Sequence, residues 1–181
     1  MKMGKTGVER LKVPELGQVG IVVRDIERAI AYYEEVFGIG PWALFEGEPE
    51  RCVSAGREVT FRGRMATAQA GRVQVELIQI VEGENIHTEF LASHGEGIHH
   101  VGFFVSDLEE RLTAAREAGI GILERGRLRQ LGLVIDYAYL DTTEVGGVII
   151  EYIEARFLGL RFPMRSPLLR VGAKLGERFA T

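Results

Sequence analysis

A single cysteine, Cys52, stands among the 181 residues, so no disulfide can form within the chain. That scarcity fits a reducing compartment, and a cytoplasmic location is the expectation. No stretch approaches the roughly 18 apolar residues that span a bilayer, so no transmembrane segment is expected. The opening MKMGKTGVERLKVPELG lacks the apolar core of a secretory signal. Positive charge is not in excess either: 22 Lys and Arg face 26 Asp and Glu, a formal net charge of −4. Nucleic acid is therefore not an expected partner, and no nucleic-acid-binding motif stands out. Hydrophobic residues at 46% and charged residues at 27% are ordinary for a globular chain of this length. Basic charge gathers only at the end, where Arg156, Arg161, Arg165, Arg170, Lys174 and Arg178 face the lone acid Glu177.

The chain repeats itself. Aligning Gln18 with His100 brings Val19 onto Val101, Gly20 onto Gly102, Val23 onto Val105, Asp25 onto Asp107 and Glu27 onto Glu109. Each copy is a short apolar run, an Asp, and a helical pattern closed by glycine. Ile26, Ala29, Ile30 and Tyr33 recur at helical spacing, with Asp25 as cap and Gly38 as stop. In the second copy Asp107 and Glu110 have the spacing of a capping box, Leu108, Leu112 and Ala115 form the apolar face, and Gly119 ends it. Segments rich in β-formers follow: 42–46, 58–69 and 72–81, then 121–124, 133–140 and 147–154. The last strands, VQVELIQI and GVIIEYIE, align Glu76 with Glu151. The expected fold is α+β, two tandem βαβββ modules forming a half-barrel cleft, followed by a basic C-terminal tail. The modules span 15–82 and 98–155. Residues 1–14 form an extension, 83–97 a connection with a short helix near 87–94, and 156–181 the tail, helical from about 168 to 179.

Polar residues intrude at matching places: Gln18 and His100 begin matching strands, and Glu76 and Glu151 sit inside matching final ones. Taken singly, each has an ordinary reading. The histidine can be structural, Glu76 can pair with Arg62, Arg64 or Arg72, and Glu151 can face solvent. Taken together, two acids inside apolar strands call for a shared partner, because an unpaired buried carboxylate is costly. One imidazole, one amide oxygen and two carboxylates suit a single divalent ion: Zn, Co, Ni, Mn or Mg. Such an ion polarises a carbonyl, and Glu151, or else Glu76, can take a proton from the neighbouring carbon. His99 is expected to be structural or to support His100 from behind, because neighbours on a strand point to opposite faces. His87 and His94 are expected at the surface, or else to help close the cleft.

At these residues the chain resembles the vicinal oxygen chelate superfamily, which includes glyoxalase I, methylmalonyl-CoA epimerase, extradiol dioxygenases and fosfomycin- and bleomycin-resistance proteins. The runs HGEGIHHVGFFVSDLEE and YLDTTEVGGVIIEYIE are most similar to the methylmalonyl-CoA epimerase branch, and the likeness covers about residues 15–155. It implies metal ligands at Gln18, Glu76, His100 and Glu151, a small carbonyl substrate such as a CoA thioester, and a homodimer. Two departures stand out. The epimerases usually have His at the first position, whereas Gln, Glu, His, Glu is the order of one class of glyoxalase I. The epimerase's second acid–base carboxylate falls near residues 64–68, where Arg64, Met65, Ala66, Thr67 and Ala68 stand. A lactoylglutathione lyase of the glyoxalase I kind, or a small-molecule binder without turnover, is the alternative.

Overall fold

The computed structural model describes residues 9–161. The tail beyond, with its expected helix near 168–179, lies outside the described residues. Strand β1 (Gln18–Val22) leads into helix α1 (Ile26–Phe37), then β2 (Ala43–Gly47), β3 (Arg51–Ser54), β4 (Arg57–Glu58), β5 (Phe61–Ala70) and β6 (Val73–Gly83). Helix α2 (Ile86–His94) connects to β7 (Gly97–Phe104) and α3 (Leu108–Glu117). Strands β8 (Ile122–Gln130), β9 (Leu133–Leu140), β10 (Ile149–Phe157) and β11 (Leu160–Arg161) complete the order. All strands join one sheet, β2-β5-β6-β1-β7-β10-β9-β8-β3-β4, with β11 beside β10.

The sequence repeat becomes a symmetry of this sheet. The order β2-β5-β6-β1 on one side mirrors β8-β9-β10-β7 on the other, and the halves meet where β1 pairs antiparallel with β7. The β3–β4 hairpin, which the sequence did not signal, breaks the symmetry. It leaves the first half and pairs with β8 at the far edge of the second. Only residues 48–50 connect β2 at one edge to β3 near the other. So short a connection, at about 3.3–3.6 Å per residue, requires the sheet to curl until its edges approach. The concave face becomes the cleft.

The face under the helices carries two of the cores, and a third, of Ile86, Tyr137 and Tyr139, lies on the cleft side. Ile26 of α1 packs with Val23, Ala66 and Leu77, while Leu108, Leu112 and Ala115 of α3 pack with Phe103, Ala138, Leu140 and Tyr152. Full burial of side chains such as Ile26 and Leu112 contributes about 1.5–3 kcal/mol each. Asp25 caps α1 as its position implies, accepting from Arg28 N at 3.0 Å, and Gly38 closes it in the left-handed conformation at φ 65°. The expected Asp107/Glu110 capping box does not form. Asp107 makes no cap hydrogen bond and instead binds Arg111 Nε at 2.6 Å. The donor at Leu108 N goes to Glu154 Oε2 on β10 at 3.1 Å, so a buried strand carboxylate does the capping.

Candidate functional site

The four polar intrusions meet at the centre of the sheet, and the pairing register explains how. Across β6, β1, β7 and β10 one row reads Glu76, Gly20, His100, Ile149, and the next reads Gln74, Gln18, Gly102, Glu151. The pseudo-two-fold turns one row into the other: Glu76 onto Glu151, Gly20 onto Gly102, His100 onto Gln18. The glycines are the spacers. A Cβ on Gly20 would stand 1.9 Å from His100 Cε1, and one on Gly102 would stand 3.0 Å from Gln18 Oε1. Each glycine lets the side chain of the facing strand lie across the sheet toward the axis.

His100 is fully buried, with Nε2 3.1 Å from Glu151 Oε2 and 3.7 Å from Glu76 Oε2. The glutamate side chains are 5% and 16% exposed respectively. Arg62, Arg64 and Arg72 leave Glu76 alone, because they pair with Glu46 and Glu82, with Glu27 and Glu46, and with Glu15. Burial, reinforced by the charge of Glu151, pushes Glu76 up to about 7, against the pull of His100 and of its hydrogen bond with Gln18. Burial alone would lower His100, but Glu151 and then Glu76 outweigh it and hold the ring above its usual 6.5.

The donors fit a cation. Gln18 Oε1 is buried without a hydrogen-bond partner, His100 Nε2 and Glu151 Oε2 are buried with only each other within 3.1 Å, and Gln18 Nε2 donates to Gln74 Oε1 at 3.2 Å. One neutral oxygen, one imidazole nitrogen and carboxylate oxygen form a coherent set for a divalent ion. Two buried carboxylates facing one another are costly unless positive charge, from the protonated His100 ring or from a bound cation, lies between them.

His99 supports His100 from behind, and His87 departs from a surface position. The register between β1 and β7 shifts at Gly20/Ile21, where Gly20 faces His100 but Ile21 faces Ile98. This bulge at His99 undoes the alternation that would turn its ring away. His99 Nδ1 lies 3.0 Å from His100 Nδ1. His87, expected at the surface, is 4% exposed and lines the cleft, while His94 is exposed as expected. Rings 87, 99 and 100 each bring a nitrogen within 4.8 Å of the others. The hydrogen bonds nevertheless make His87 a donor. Asn85 Oδ1 accepts from the backbone of His87 and Thr88 at 3.1 and 3.2 Å, which leaves its Nδ2 to donate to His87 Nδ1 at 3.0 Å. The proton of the neutral His87 ring is then on Nε2, buried and unpartnered. Burial, with His99 and His100 nearby, holds His87 well below 6.5, and burial with His100 brings His99 down to about 3. Glu124 Oε2 steadies the same turn by accepting from Ile86 N at 3.4 Å. Asn85 ahead of the helix is the only sequence signal for His87, and it reports the cap rather than the burial.

Above the acids the cleft opens into a cavity of about 350 Å³. Gln18, Gln74, Glu76, His87 and Glu151 form its polar end, and Phe45, Phe61, Met65, Ile78, Leu133 and Ile135 are among its apolar walls.

Residues 17–139, more than half of the chain, match the Glyoxalase/Bleomycin resistance protein/Dioxygenase superfamily. The chain belongs to this superfamily. Within it, the uncharacterized protein YqjC of Bacillus subtilis (strain 168) is 29% identical over 141 residues, 78% of this chain and 92% of that one. The mitochondrial methylmalonyl-CoA epimerase of Bos taurus is 27% identical over 142 residues, 77% of this chain and 74% of that one. A Streptomyces coelicolor methylmalonyl-CoA epimerase variant, solved with 2-nitronate-propionyl-CoA, superposes with a TM-score of 0.60 at 18% identity, covering 84% of this chain and 100% of that one. At that identity the likeness is one of fold. Among the described residues no helix is long and apolar enough to cross a membrane.

Proposed function

We propose that this member of the superfamily is a divalent-metal-dependent isomerase, epimerase or lyase that moves a proton at the carbon beside a carbonyl. The observation that carries the reading is the convergence of Gln18 Oε1, His100 Nε2 and Glu151 Oε2, with Glu76 beside them, at the floor of an apolar cavity. Gln18, Glu76, His100 and Glu151 would hold the ion. When bound, it supplies Lewis acidity that makes the carbon beside a carbonyl more acidic.

The chain's own residues do the rest. Glu151 Oε2, buried beside His100 Nε2 at 3.1 Å, takes the proton. Glu76 stands on the opposite side of the pseudo-axis, placed to return a proton to the substrate from the other face. His87 offers a neutral N–H to the substrate oxygen as negative charge gathers there. The apolar walls keep water from competing for the proton.

A methylmalonyl-CoA epimerase-like reaction on a thioester is one form of this chemistry, and the Bos taurus relative favours it. The lack of a carboxylate at residues 64–68, of which Met65 and Thr67 line the cavity, and the ligand order Gln, Glu, His, Glu favour the glyoxalase I-like form. Proton exchange in deuterated water separates catalysis from mere binding, and the substrate chooses between the two forms. The zinc- or cobalt-loaded protein is incubated with acyl thioesters and with hemithioacetals, and deuterium uptake is followed by NMR. Uptake that vanishes on metal removal is the expected result. Tight ligand binding with no uptake in any substrate would make the chain a binding protein.

A further inference from the structure

The walls of the cavity, not only its floor, select a ligand. We infer that the site takes a carbonyl compound uncharged around its reacting carbon, with an apolar body, and discriminates against one carrying a carboxylate there. The inference rests on the metal reading above and narrows its substrate class.

Three observations carry it. Among the described residues no lysine or arginine lines the cavity. The arginines on its strands turn outward into ion pairs: Arg62 and Arg64 on β5 with Glu46 and Glu27, Arg127 on β8 with Asp136. A substrate carboxylate would therefore leave water without gaining a cationic partner from the wall that the described residues form. The floor has no positive charge to lend either. Glu76 and Glu151 together cancel the charge of one divalent ion, so a third carboxylate beside them gains no net attraction to set against its lost hydration. A floor with a single acid would leave the ion one positive charge with which to hold an anionic substrate.

The groups that remain are neutral and apolar. Phe45, Phe61, Ile78, Ile80, Leu133 and Ile135 supply the surface, and Met65 stands among them. Neutral donors also line it, among them Thr67, Gln74, Tyr139 and His87, whose protonation on Nε2 is set by Asn85. A neutral imidazole donor suits a carbonyl oxygen and adds no charge to attract a carboxylate.

Two short thioesters of N-acetylcysteamine test this, because they carry no nucleotide to bind elsewhere. One is the methylmalonyl thioester. The other is the 2,3-dimethylbutanoyl thioester, in which an isopropyl group replaces the carboxylate at similar size. Calorimetric titration of the cobalt-saturated chain should find the neutral ligand at least about tenfold tighter. In Glu76→Gln, which removes one negative charge from the floor, that gap should narrow several-fold. Equal or reversed affinities, absence of binding by both ligands, or a gap unchanged in Glu76→Gln would overturn the inference. Deuterium uptake on the same samples keeps the two proposals apart. Preference for the neutral ligand without uptake removes proton transfer and leaves the ligand class. Uptake confined to the methylmalonyl ligand does the reverse.

Discussion

Glycine, at the scale of single residues, is as decisive as any acid in this site. Gly20 has ordinary backbone torsions, and it is glycine because the His100 ring occupies the space of its side chain. Gly20→Ala should displace that ring, lowering stability by about 1–3 kcal/mol in urea denaturation and weakening divalent-ion binding. A stable variant with unchanged ion affinity would contradict the arrangement. Glu151→Gln should reduce deuterium exchange about a hundredfold or more while leaving the fold intact by circular dichroism. His87 adds a pH signature. Its folded pKa is depressed, so below the ordinary 6.5 the unfolded chain takes up a proton that the native chain refuses. Its contribution to stability is present above pH 6.5 and is lost as pH falls. His87→Phe should therefore lose less stability than the parent between pH 7.5 and pH 5, as read from urea midpoints at each pH. The four floor residues were legible in the sequence because each is a polar intrusion with a counterpart in the other copy. The placement of His87 was not, since a helix cap brings it in, and the bulge that turns His99 toward His100 leaves no periodic trace either.

Helices and strands explain where reading by pattern succeeds. Apolar periodicity located α1 and α3, and runs of β-formers located the repeated strands of both copies, although 121–124 caught only the start of β8, whose later residues are rich in charge. The β3–β4 hairpin escaped because its residues are mostly exposed and its pairing partner, β8, lies some seventy residues further along. The capping box failed for a related reason. Local spacing made Asp107 and Glu110 candidates, but tertiary structure brought Glu154 to the helix start. Glu154 also binds Arg156 at 3.0 Å, so Glu154→Ala removes a cap and a partly buried ion pair together. Thermal denaturation should rank it as clearly more destabilising, by about 1–3 kcal/mol, than Asp107→Ala or Glu110→Ala. The opposite ranking would restore the local box.

The whole molecule turns a duplicated sequence into one asymmetric cleft. Antiparallel pairing of β1 with β7 brings the equivalent positions of both halves to one axis, and the curl of the sheet walls them off from water. The direct measurement of this account is anomalous diffraction at the zinc edge from crystals of the zinc-soaked chain. The account predicts one strong peak at about 2.0–2.2 Å from Gln18 Oε1, His100 Nε2 and carboxylate oxygens of Glu76 and Glu151. A peak lying instead among His87, His99 and His100, or no peak at the floor of the cleft at saturating zinc, would contradict it.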